Sequence, residues 1–213
     1  MIDVTQQIDS VRREVGRRAV DGGQVRVVSL SRSYDVPAED LWAACTDPRR
    51  IPQWFLPVSG ELRTGGHYQL ENHAGGTVER CDPPHGFLAT WEYGGDVSRI
   101  ELRLTPEGEG RTRFELAHLD PDDDKKWTEF GPGAVGVGWD MALVGLTLHL
   151  SSGAPVDPAQ AMAWFGSPEG LAFVTAAGED WYAAHVTSGE EPTAARAAAD
   201  RTRAAYTGED PSA

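Results

Sequence analysis

Six short segments between Leu56 and Leu119 follow one another too closely to be joined by helices. Leu56–Leu62, Gly66–His73, Gly76–Cys81, Phe87–Tyr93, Val97–Thr105 and Thr112–Leu119 each read as strands. Ala74-Gly75-Gly76, Asp82-Pro83-Pro84, Gly94-Gly95 and Pro106-Glu107-Gly108-Glu109-Gly110 punctuate them as turns. Parallel pairing needs a crossover of a dozen or more residues, and none of these gaps supplies one. The stretch therefore predicts an antiparallel meander. Ile100, Leu102 and Leu104 must take its buried face, which sends Arg99, Glu101 and Arg103 to solvent. Arg80 is assigned to neither face, since Val78 and Gly76 would carry it inward.

A cover for that face comes next. After Gly131-Pro132-Gly133 a helix is predicted to about Leu150, apolar nearly all round. Trp139, Leu143, Leu146 and Leu150 form one seam, while Met141, Val144 and Leu148 populate other sides. A helix of this kind must be covered on every side. The sheet can cover one side, and the tail is expected to cover another, from this chain or from a second subunit. Pro168-Glu169 opens a tail helix carrying Leu171, Val174, Trp181 and Val186, with Trp164 and Phe165 before it. An alanine-rich helix follows from about Pro192 to Tyr206, and Thr207–Ala213 reads as disordered. Ahead of the meander, Val4, Ile8, Val11, Val15 and Ala19 fall on one helical stripe that Asp21-Gly22-Gly23 would stop. A strand over Val25–Tyr34, a short helix opened by Pro37 and a helical turn after Asp47-Pro48 complete the reading. The exposed stripe leaves a homodimer open.

Composition narrows the function. The chain has 213 residues, 40% of them hydrophobic, enough for one domain with a sizeable core and appendages. A net charge of -14 disfavours nucleic acid and anionic lipid surfaces as partners. The two cysteines, Cys45 and Cys81, form neither a CxxC pair nor a disulfide framework, so a cytoplasmic setting is expected. The N-terminus lacks an apolar signal region, and Asp140 interrupts the longest apolar run, so no membrane span is expected.

Several motifs invite chemistry. Gly131-x-Gly133-x-x-Gly136 matches a dinucleotide fingerprint by letter, with Asp157 about twenty residues on, but no buried strand precedes it. The glycines read instead as a hinge and helix start. His67 and His73 on one predicted strand lie too far apart for a joint metal site and read as exposed polar residues. His118 continues the inward face of Phe114 and Leu116, as a ligand contact, a general acid or base, or a structural histidine. Trp54, Tyr68, Trp91, Tyr93 and Trp139 are phased toward the space between sheet and long helix. Each alone reads as core; as a set with His118 they read as the wall of a small-molecule pocket.

Thr46-Asp47-Pro48, Trp54-Phe55, Gly65-Gly66, Asp82-Pro83-Pro84, Thr90-Trp91, Leu116-Ala117-His118, Gly138-Trp139 and His149-Leu150 occur in this order. In this set the chain resembles the START-like (SRPBCC) superfamily, in particular bacterial proteins related to the activator of the ninety-kilodalton heat-shock chaperone ATPase. The matching motifs run from Val25 to Leu150. The resemblance implies an α+β helix-grip fold, a curved antiparallel sheet around a long helix, here with extra N-terminal and C-terminal helices. It divides the chain into an N-terminal helix (1–23), a START-like domain (24–152) and a helical extension (153–213). It also implies a cavity for a lipid-like or polyketide-like apolar molecule, or a site for a protein partner, and transfers no catalytic residue, metal or cofactor. The expectation is a binding protein rather than an enzyme. The alternative is a cyclase-, dehydratase- or hydrolase-like enzyme using His118 with Tyr68 or Tyr93.

Overall fold

The computed structural model describes residues 3–20, 22–121 and 125–208. The expectations for Asp21, for Asp122–Asp124 of the acidic loop and for 209–213 fall outside them. In chain order the elements are α1 (Val4–Asp9), β1 (Arg12–Val20), β2 (Gly23–Tyr34), α2 (Ala38–Thr46), a 3₁₀ turn (Ile51–Gln53), β3 (Val58–Gly60), β4 (His67–Leu70) and β5 (Gly75–Asp82). They continue with β6 (Gly86–Tyr93), β7 (Asp96–Pro106), β8 (Thr112–Pro121), α3 (Lys125–Phe130) and α4 (Gly133–Ser152). The last three are α5 (Pro158–Phe165), α6 (Pro168–Thr187) and α7 (Pro192–Thr207). One eight-stranded sheet runs β1-β2-β8-β7-β6-β5-β4-β3, and every pairing from β3 to β8 is antiparallel. The meander is as its turn chemistry requires.

The N-terminal helix expected through Ala19 is corrected. Helix α1 ends at Asp9, where Ser10 caps it, and Arg12 onward is strand. Val11, Val15 and Ala19 satisfy a period of four and a period of two alike, so the apolar spacing could not arbitrate. Gly16 weakens a helix at mid-span, and pairing with β2 decides the matter. The strand reading also turns Arg13 inward beside Val11 and Val15.

Contacts divide the chain into two compact units. The first comprises Met1–Leu30, Pro121–Val144 and Asp157–Ala213; the second comprises Ser31–Asp120 and Gly145–Val156.

In the second unit, cross-strand pairs build one apolar face. Ala89 pairs with Ile100 and Ile100 with His118; Phe87 pairs with Leu102, Leu102 with Leu116, and Leu104 with Phe114. On the opposite face Arg99 and Arg103 are exposed as expected, whereas Glu101 is largely covered by its pairing with Arg80 and Arg103. Arg80 reaches that outer face because the β5–β6 register shifts between Val78 and Arg80. One extra residue in a strand inverts the alternation beyond it. Such exposed ion pairs contribute about 0–1 kcal/mol each. Tyr34 on β2 packs edge-on to Phe114 and receives the hydroxyl of Thr147 from the C-terminal half of α4.

In the first unit the N-terminal half of α4 is gripped by α6 and β1. The Arg13 guanidinium binds Asp140 through two contacts, Nη2–Oδ1 at 2.9 Å and Nε–Oδ2 at 3.1 Å. Trp181 Nε1 donates to the same carboxylate at 2.8 Å, and Arg13 also reaches Asp180 at 2.7 Å. By length and composition α4 could cross a membrane. Asp140 at its centre is instead buried and ion-paired within this unit.

The glycine fingerprint opens α4 at Gly133, the expected helix start, and its glycines also allow close packing. A Cβ on Gly136 would lie 2.3 Å from the Trp181 ring, and one on Gly133 would lie 2.9 Å from Thr202. Asp157, the would-be ribose ligand, caps α5 by accepting from the amides of Ala159 and Gln160.

Candidate ligand-binding face

Strand register places four of the expected pocket residues on one face of the second unit. Tyr68 pairs with Gly76, Val78 with Ala89, Trp91 with Ser98, and Ile100 with His118. Directly paired residues share a face, and so do residues two apart. Tyr68, Trp91, Tyr93 and His118 therefore point the same way. Trp91 meets the His118 ring edge-on with centroids 6.2 Å apart.

The strand set expected to end at His73 ends at Leu70. Asn72 adopts φ 53°, a left-handed conformation that asparagine tolerates. This turn carries His73 away from His67 and onto the aromatic row. The His73 ring stacks on Tyr93 at 4.7 Å and meets Trp91 at 5.5 Å. The outer end of the row is open, for Tyr93 is 52% exposed while Trp91 and His118 are buried. Alternation alone could not place His73 here, because its position follows from the turn.

His118 Nε2 lies 2.8 Å from Ser98 Oγ and 3.4 Å from Asp120 Oδ1. Ser98 Oγ also lies 3.2 Å from the Trp91 carbonyl, so the hydroxyl sits between that carbonyl and the ring nitrogen. A nucleophilic triad needs serine and carboxylate on opposite ring nitrogens. Here both lie on one nitrogen, so the carboxylate cannot orient a histidine that activates the serine.

One of the two expected tyrosine partners is equally committed. Tyr68 donates its hydroxyl to the Thr90 carbonyl at 2.7 Å, and burial followed by the Glu92 charge raises its pKa far above the ordinary value. Burial pushes the Cys45 thiol up to about 12, which disarms it as a nucleophile. Among the described residues no group of three or more His, Cys, Asp or Glu side chains could hold a metal ion.

Trp54 is half-buried, stacked on Phe55, and donates Nε1 to the Ala44 carbonyl at 2.9 Å. A Cβ on Gly145 would lie 2.4 Å from the Trp54 carbonyl, so that helix position admits only glycine against this backbone. Trp139 is also half-buried and sits on the part of α4 that belongs to the first unit.

Two histidines make stability depend on pH. Partial desolvation against Tyr93 and Trp91 lowers the pKa of His73, although the residue is exposed; at His185 burial lowers it, with Glu190 opposing and Arg26 reinforcing. Below about 6.5 the unfolded chain binds protons that the folded histidines refuse. Their contribution is therefore complete above that pH and is lost as pH falls from there through the folded values. Thermal midpoints should fall between pH 7 and pH 5, and a His73→Gln/His185→Gln variant should flatten that slope. An unchanged slope in the variant would contradict the assignment.

The Activator of Hsp90 ATPase homolog 1-like protein family matches residues 35–151. CalU16 from Micromonospora echinospora is 35% identical, and its crystal structure aligns over 82% of this chain and 97% of its own with a TM-score of 0.66. Its solution structure aligns over 84% and 96% with a TM-score of 0.71. DynU16, a protein in the dynemicin biosynthetic locus, is 24% identical over 61% of this chain and 48% of its own, with a TM-score of 0.53. PFC0360w, an HSP90 activator from Plasmodium falciparum, is 21% identical over 61% and 97%, with a TM-score of 0.50, a likeness of fold alone. No curated protein matches the sequence.

Proposed function

Because this chain belongs to the Activator of Hsp90 ATPase homolog 1-like family, we propose that it is a START-like binding protein whose occupant is an apolar small molecule held on the aromatic face of the second unit. The observation that carries this reading is the in-register row Tyr68, Trp91, Tyr93 and His118, extended by His73. Trp91 supplies an apolar floor, Tyr93 and His73 a stacking surface open to solvent, and His118 with Ser98 a buried polar contact. Flat rings with a few polar groups suit an unsaturated, sparsely oxygenated ligand. Trp54 remains part of the proposed site as an apolar margin, whereas Trp139 belongs to the first unit and is left out of it. Binding without turnover is the better reading, since Ser98 and Asp120 share one nitrogen of His118 and Tyr68 is committed to the backbone. The two free cysteines accord with a reducing, cytoplasmic setting.

The test is native mass spectrometry on protein purified from its own host, followed by titration with anilinonaphthalene sulfonate. A retained mass that leaves on denaturation is expected, together with saturable quenching of tryptophan fluorescence. Tyr93→Ala should weaken dye binding about tenfold, roughly the 1.4 kcal/mol of a good ring contact, and His118→Gln should weaken the retained ligand more than the dye. An unliganded mass with dye binding indifferent to Tyr93 would overturn the proposal.

A further inference from the structure

At the open end of the aromatic face sits a ring that no strand carries. His73 stands on the turn between β4 and β5, and its ring lies 4.7 Å from the Tyr93 ring at an interplanar angle of 16°. It also meets Trp91 edge-on, with centroids 5.5 Å apart and planes at 65°. Among the described residues those two ring contacts are all that hold the imidazole, which makes no hydrogen bond or ion pair there. Its neighbours are fixed more firmly. Tyr68 is tied to the Thr90 carbonyl through its hydroxyl, and Trp91 is buried, whereas His73 is exposed.

The backbone beneath the ring is clamped. The Leu70 amide donates to the Ala74 carbonyl at 2.9 Å, and the Glu71 amide to the Pro57 carbonyl at 2.9 Å. Gln69 Nε2 donates to the carbonyls of Leu70 and His73, both at 2.8 Å. A Cβ on Gly75 would lie 2.5 Å from Gln69 Oε1, so the missing side chain leaves room for this clamp. The imidazole can therefore leave by rotating about its own side-chain bonds while the turn stays in place.

Two opposing terms decide what occupies the seat. A flat ring there stacks on Tyr93 and meets Trp91 at its edge, and both contacts are favourable. An imidazole gives up hydration of its nitrogens to take them, and partial desolvation lowers its pKa on this seat. An uncharged carbon ring makes the same contacts without that cost. Behind Trp91 lies the buried His118 ring, 6.2 Å away, so a ring in the seat begins the path to the polar end of the face.

We infer that the His73 ring is a stopper, which fills the seat of the ligand's own planar ring on Tyr93 and swings out to solvent when that ring binds. This inference rests on the small-molecule reading above and narrows it to ligands that carry at least one flat, uncharged, conjugated ring.

Opposite substitutions separate a stopper from a wall. With anilinonaphthalene sulfonate on the full chain, His73→Ala should tighten binding about three- to tenfold, the range of one aromatic contact. His73→Trp, a larger ring that stacks more firmly, should weaken it by a similar factor. A wall residue would give both effects with the sign reversed. The changes lie on an exposed turn, so circular dichroism should report an intact fold. In the unsubstituted protein with carbon-13-labelled histidine, nuclear Overhauser contacts between the His73 and Tyr93 rings should vanish on saturation with the dye, and the His73 ring shifts should move toward those of free histidine. The inference is overturned if His73→Ala weakens dye binding or leaves it unchanged, or if the His73–Tyr93 contacts persist in the saturated protein. Those outcomes leave the binding reading standing while Tyr93→Ala still weakens the dye. Dye binding indifferent to Tyr93 would remove both.

Discussion

Replacing Asp140 with asparagine is expected to lower the free energy of unfolding by about 3–5 kcal/mol, the usual cost of leaving one member of a buried ion pair unpartnered. The Arg13 and Asp140 side chains are 2% and 1% exposed, so water cannot take over the lost contact. Arg13 would keep Asp180, whose side chain is nearly half exposed and therefore well screened. Trp181 Nε1 would keep only a neutral acceptor where it now has a carboxylate. Urea denaturation of the two proteins measures the difference directly. An Arg13→Met/Asp140→Leu double variant should recover most of the loss, because an apolar pair of similar volume also avoids burying an isolated charge. A cost below about 1 kcal/mol for Asp140→Asn would show that the pair is solvated in solution.

Ending the chain after Ser151 should have a still larger effect and leave an insoluble product. The cut removes Phe173, Val174, Ala177 and Trp181, which are buried in the first unit, along with the α7 residues Ala195, Ala198 and Thr202 that pack beside them. Each large side chain contributes about 1.5–3 kcal/mol on burial, so a handful rivals the roughly 5–15 kcal/mol by which domains are stable. The same cut strips Asp140 of Trp181 and Arg13 of Asp180. What remains exposes the apolar sides of α4 that α6 now covers. The soluble fraction after lysis and the elution volume on gel filtration report the outcome. A soluble monomer with an unchanged thermal midpoint would show that these helices are appendages.

Both predictions rest on contacts far apart in sequence, which bears on what could be read beforehand. The strands from Phe87 to Leu119 were legible because Ile100, Leu102 and Leu104 alternate strictly and glycine or proline marks each turn. The long helix was legible from its continuous apolar run, and α6 from Pro168. Of the candidate site, alternation phased Tyr68, Trp91, Tyr93 and His118 within their own strands, and the pairing register then put them on one face. His73 does not, because a left-handed Asn72 sets its position, and Arg80 does not, because a register shift inverts it.

Local periodicity and turn chemistry thus determined by themselves the antiparallel meander, the apolar helix and the phase of each ring along its own strand. Each of those needs only the next few residues to be decided. Tertiary structure alone decided that Arg12–Val20 is a strand, that Arg13 points inward, and that the Gly131–Gly136 run is a seat for Trp181 and Thr202. An apolar stripe compatible with two periods is settled by whichever partner pairs with it, here β2. A charge is buried only when its counter-charge arrives, and Asp140 stands 127 residues away.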